Sequence, residues 1–129
     1  MSPSARALAA LAAVLAATGV AAAALGSHAL PADAAPGASG VWSSAVQLHL
    51  FHAAALLGVA ALAARGASPW VARGAFVVLA GLVLFCASLY WRVLSGAAAS
   101  GPTAPLGGML MMAGWLFVAL ALVLPARRG

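Results

Sequence analysis

The chain has 129 residues, about one domain's worth, of which 66% are hydrophobic and only 5% charged. Soluble domains carry about 25% charged residues, so this composition cannot cover a water-facing surface and excludes a soluble enzyme, a disordered tail and a fibrous repeat. The charges are arginines and one acid, Asp33. The arginines stand at the ends of apolar runs, where they orient a membrane protein; they form no basic patch with interleaved aromatics, so nucleic-acid binding is not expected.

Four apolar stretches predict transmembrane helices over about 7–25, 41–64, 71–92 and 105–124. Each is near the roughly 20 residues that a helix rising about 1.5 Å per residue needs to cross a hydrocarbon core of about 30 Å. Transmembrane strands require polar and apolar alternation, which runs such as Ala60-Ala61-Leu62-Ala63-Ala64 lack. The first run follows Arg6 and precedes the small residues Ser27 and Ala29, an order that signal peptides share. Its length exceeds the roughly 7–15 apolar residues of a signal sequence, so the helix is expected to be retained. Pro31, Pro36 and Gly37 break the chain before the second run, and Arg65 to Pro69 makes a tight turn before the third. Gly96, Gly101, Pro102 and Pro105 separate the third from the fourth, which stops at Pro125 to Gly129. The fold class is all-α: a four-helix antiparallel transmembrane bundle in which 1–129 form a single transmembrane domain and short loops make sequential helices neighbours. With the N-terminus inside, Arg6, Arg65, Arg73, Arg127 and Arg128 lie on the cytoplasmic side and Arg92 outside. That asymmetry predicts cytoplasmic termini.

Within the second helix, His49 and His52 stand roughly 12 and 16 Å from Val41. Their spacing places them on one face with Trp42, Ala45 and Leu56, while Gln47 shares another side with Ser43. Ionisable groups at such depth are costly and usually face the bundle interior, which makes them candidate functional positions. One reading makes both imidazoles neutral and hydrogen-bonded to neighbouring helices through Ser88, Tyr90 or carbonyls freed near Pro105. A proton relay, a small-ligand pocket or axial ligation of haem are the competing readings. The one acid is in a loop, and neither a cofactor nor a metal is expected. His28 ends the first helix as an interfacial side chain or cap; a three-histidine metal site would need it deeper.

Tyr90, Trp91 and Arg92 at one end of the third helix, and Trp70 at the other, fit an aromatic belt with a snorkelling arginine. Arg92 could alternatively pair with Asp33 across the outer loops. Gly107 and Gly114 are seven apart on one face of the fourth helix, a small face for packing within the chain or between copies. Trp115 is expected to be buried, and Met109, Met111 and Met112 to fill space. Cys86, the one cysteine, permits no internal disulfide and reads as an inert buried residue.

Four segments carry a resemblance: Leu25-Gly26-Ser27-His28-Ala29-Leu30; Trp42-Ser43-Ser44-Ala45-Val46-Gln47-Leu48-His49-Leu50-Phe51-His52-Ala53; Leu84-Phe85-Cys86-Ala87-Ser88-Leu89-Tyr90; and Pro105-Leu106-Gly107-Gly108 followed by Gly114-Trp115. In this order they resemble the YgdD-like family, the small membrane proteins catalogued as domain of unknown function 423, to which the small transmembrane protein 256 group is similar. Cys86, Ala87 and Ala104 depart from that family's usual Ser, Gly and Thr. The resemblance implies a multi-pass inner-membrane protein with four helices and no known reaction. The expected function is a non-catalytic packing, interaction or accessory component of the bilayer. Its partner, a second copy or another membrane protein, is left open. The alternative is a small transporter or channel-like protein using His49 and His52. An enzyme has least support, because no nucleophile–base pair and no paired carboxylates occur.

Overall fold

A computed structural model describes residues 1–30, 36–97, 99 and 101–124. The expectations for Asp33, for its pairing with Arg92, and for Arg127 and Arg128 lie outside the described residues. Within them the chain forms α1 (Pro3–His28), α2 (Ala38–Ala64), α3 (Pro69–Ser95) and α4 (Thr103–Val123). At 21 to 27 residues each helix is long and apolar enough to cross a membrane.

Each helix starts a few residues ahead of its apolar stretch, and at α1 a polar residue caps that start. Ser2 Oγ accepts from the Ala5 amide at 3.2 Å, and Pro3 occupies the first turn, where its missing amide costs nothing. Ser68 and Pro69 begin α3 in the same order. Pro105 stands inside the first turn of α4, which therefore starts at Thr103 rather than at the proline. Two helix ends turn on glycine: Gly66 and Gly96 have φ of 92° and 69°, a region that other residues enter at a cost. Beyond each, an amide reaches back into the last turn, Ala67 to Leu62 at 3.2 Å and Ala97 to Arg92 at 3.1 Å.

Sequential helices are antiparallel neighbours: α1 lies on α2, α2 on α3, α3 on α4, with a slight contact between α1 and α3. Among the described residues α4 brings no backbone close to α1, so it flanks α3 rather than closing a ring. The interior is lean. Leu8, Leu56, Leu82, Val71 and Val78 are its largest fully buried side chains, and alanines and glycines make up much of the rest. Bulkier residues such as Val14, Phe51, Leu116 and Val123 point outward. Between helices in lipid the hydrophobic effect gives no drive, so association relies on close approach over small residues and on polar links. Both devices are present.

Candidate functional site

The polar device centres on His49, the one buried polar side chain of the described residues. Its Nδ1 lies 3.1 Å from the Tyr90 hydroxyl on α3, and its Nε2 lies 3.4 Å from Thr18 Oγ1 on α1. Thr18 spends its own proton on the Val14 carbonyl at 2.9 Å. With that proton on the carbonyl its oxygen is free to accept from His49 Nε2–H, the tautomer in which Nδ1 accepts from the Tyr90 hydroxyl. In that tautomer the chain of hydrogen bonds runs from Tyr90 through His49 and Thr18 to Val14, and among the described residues no buried polar side-chain atom lacks a partner. Three helices meet at one imidazole.

Glycines on α1 make room for this contact. A Cβ at Gly19 would stand 2.7 Å from Leu50 and 3.5 Å from the His49 ring, and one at Gly26 would stand 2.5 Å from Trp42. Trp42 fills that space and donates its indole N–H to the Ala22 carbonyl at 2.7 Å. Its ring lies 4.7 Å from that of Tyr90, tilted by 49°. Nearby, the Cys86 thiol is buried and donates weakly to the Ala45 carbonyl at 3.6 Å.

His52 behaves differently. Its Nδ1 donates to the Leu48 carbonyl of its own helix at 2.8 Å, and its ring faces that of Trp115 at 5.9 Å. Among the described residues His52 makes none of the expected hydrogen bonds to another helix; its Nδ1 is held by the carbonyl one turn back. Ser88, expected as a histidine partner, donates to Phe85 of its own helix at 2.8 Å. Tyr90 corrects the aromatic-belt reading: its hydroxyl turns inward to His49, whereas Trp91 is exposed. Trp70 is also exposed and carries the Arg73 guanidinium over its ring at 4.2 Å. His28 is exposed in the last turn of α1, ten residues and so about 15 Å beyond the Thr18 that meets His49. Gln47 is exposed on the outer side of α2.

The second device is a glycine seam between α3 and α4. A Cβ at Gly107 would stand 2.6 Å from the Phe85 amide nitrogen, and one at Gly114 would stand 2.7 Å from that of Val78. The converse holds for Gly81, 2.6 Å from the Met111 nitrogen, and for Gly74, 3.1 Å from that of Val118. Gly107 and Gly114 therefore meet α3 of the same chain. Trp115 is only partly buried, and of the three methionines Met111 alone is inside.

Two features escaped the sequence reading. Thr18 is the one hydroxyl in the middle of α1, and its position among alanines was the available signal. Gly74 and Gly81 repeat the seven-residue spacing of Gly107 and Gly114, and the match between the two pairs pointed to their pairing.

The family described as Protein of unknown function (DUF423) matches residues 22–108, which include Trp42, His49, His52, Tyr90 and Gly107. The chain is 34% identical over 84 residues to the UPF0382 membrane protein YwdK of Bacillus subtilis, covering 64% of this chain and 68% of that one. It is 30% identical over 110 residues to the UPF0382 inner membrane protein YgdD of Escherichia coli, covering 85% and 84%. The UPF0382 membrane protein SAB0533 of Staphylococcus aureus is 30% identical over 98 residues, covering 76% and 80%. No solved structure matches the chain. The chain belongs to the DUF423 family and is a membrane protein with four transmembrane helices.

Proposed function

We propose that this DUF423 member is a non-catalytic packing or interaction component of the inner membrane, with both termini in the cytoplasm. The observation that carries the reading is the closure of the His49 network. It joins Tyr90, His49 and Thr18 and ends where Thr18 donates to a backbone carbonyl of α1, and an amide carbonyl passes no proton onward. A relay needs a group at that end that can both take and release a proton. His52, which would extend a path along α2, is tied to its own helix instead. The network serves to join helices. The name inner membrane protein, carried by the Escherichia coli relative, supports the location, and the distribution of arginines along the sequence supports the orientation.

The test is flux. Purified protein in liposomes loaded with a pH-sensitive dye should leak protons no faster than empty liposomes, and His49→Leu should leave the rate unchanged. A flux above that of empty liposomes and abolished by His49→Leu would replace this reading with that of a small transporter. Reporters fused after Gly129 check the orientation; an external reporter overturns it.

A further inference from the structure

One face of α2 is left uncovered by the rest of the chain. Gly40, Ser44, Gln47, Phe51, Ala54 and Gly58 recur at alternating intervals of four and three residues, and all are exposed. That alternation is the seam along which two helices wind in a left-handed pair.

Gln47 gives the face its need for an occupant. It stands four residues from the middle of α2, about 6 Å from the centre of a hydrocarbon core about 30 Å thick. Its amide makes no hydrogen bond among the described residues. Lipid chains offer none, and an amide held in an apolar medium without a partner is costly. The glycines point the same way independently. From Gly19 to Gly114, the other glycines within the helices each lie within 4 Å of an atom on another helix, judged from their Cβ positions. At Gly40 and Gly58 a Cβ would meet nothing. Elsewhere the chain places helical glycine where a second helix presses close; here the glycines share one seam with an unsatisfied amide.

We infer that this face is the interface for a second copy of the chain, joined through a reciprocal pair of Gln47 amides. The inference deepens the packing and interaction reading above, and rests on it, by naming the partner. Copies of one membrane protein insert with the same orientation, so a two-fold axis along the membrane normal sets two α2 helices parallel and at equal depth. Each residue of the seam then meets its own counterpart. An amide both donates and accepts, so Gln47 is its own complement. Ser44 on one side of it, and Ala54 beyond Phe51 on the other, are small enough for the backbones to approach, while the two Phe51 rings meet between them.

Oxidative crosslinking of the full-length chain in native membranes tests this, with Cys86→Ser removing the buried thiol. Ser44→Cys and Ala54→Cys retain Gln47 and should each form a disulfide-linked dimer, since the bond needs Cα atoms within about 7 Å. Val14→Cys on α1 and Leu116→Cys on α4, both exposed, should not. In bilayers, Gln47→Leu should raise the dimer dissociation constant roughly 3- to 30-fold, the span expected for loss of one interhelical hydrogen bond, and Gln47→Asn should restore part of it. Equal yields from all four cysteines, absence of crosslinks at Ser44 and Ala54, a crosslink to a different protein, or undiminished dimerisation of Gln47→Leu would each overturn the inference. None of those outcomes alters the flux result, so failure here is distinguishable from failure of the reading on which it rests.

Discussion

The two halves of this molecule hold helices together by opposite means. Where α1, α2 and α3 meet, side chains do the work: His49 spans Tyr90 and Thr18, and Trp42 reaches the Ala22 carbonyl. Where α3 meets α4, side chains are removed, and the backbones at Gly81, Gly107 and Gly114 approach directly. Both solutions answer the same shortage, since lipid is as apolar as any leucine and gives no reason for helices to associate. They differ in tolerance. A hydrogen bond can be lost for a modest amount, whereas a contact between backbones has no atom that can swing aside.

The glycine seam is accordingly where one substitution should do most damage. Gly107→Val places its Cβ near 2.6 Å from the Phe85 amide nitrogen, so α4 must move off α3. We expect a loss of about 3 kcal/mol or more, the upper range for overpacking, measured by reversible unfolding in detergent–lipid mixtures. Gly58→Ala, in open space, should cost the monomer nothing. Equal losses for the two would mean that the seam contributes no more than any other helical glycine.

The next effect belongs to Trp42. Phenylalanine preserves a ring against Tyr90 but cannot donate to the Ala22 carbonyl. Trp42→Phe should cost about 0.6–2 kcal/mol for that interhelical bond. A cost of zero by the same unfolding assay would show that the Ala22 carbonyl gains nothing beyond its own helical bond.

The comparison also explains what could be read from the sequence. Four helices, their order and their antiparallel arrangement follow from apolar length and short connectors, which are local properties. Gly107 and Gly114 were legible because a seven-residue interval marks one helix face, and glycine on such a face has few other uses. His49 was identified by its depth. Tyr90 was among the partners open to it, beside Ser88 and the carbonyls near Pro105, but Thr18 was not. Tyr90 also stands next to Trp91 and Arg92 near the end of α3, so the sequence offered it both an interfacial belt and an inward link and did not choose between them. Thr18 looks like any hydroxyl that satisfies itself on the preceding turn, and it does so while accepting from His49 as well. Which neighbour a side chain reaches depends on how two helices are rotated against each other, and spacing along one helix carries no information about that.

His49 and His52 sharpen this point, being three residues apart on one helix and similar to any count of spacing. The sequence alone suggests that replacing His52 loosens the bundle by one interhelical hydrogen bond. The geometry moves that expectation to His49, because the bond made by His52 stays within α2. A double-mutant cycle separates them. His49→Leu and Tyr90→Phe should each destabilise, and the double variant should lose less than the two together, with a coupling of about 0.6–1.7 kcal/mol as for other hydrogen bonds between transmembrane helices. His52→Leu combined with Tyr90→Phe should show no coupling beyond the roughly 0.3–0.5 kcal/mol within which independent sites add. On its own His52→Leu should be nearly neutral, since leucine retains contact with Trp115 and leaves the Leu48 carbonyl with its ordinary helical partner. Coupling of Tyr90 to His52 rather than to His49 would mean that α2 is turned by about 60° and shifted by about 4.5 Å relative to α3, and the Tyr90–His49–Thr18 link would fall with it.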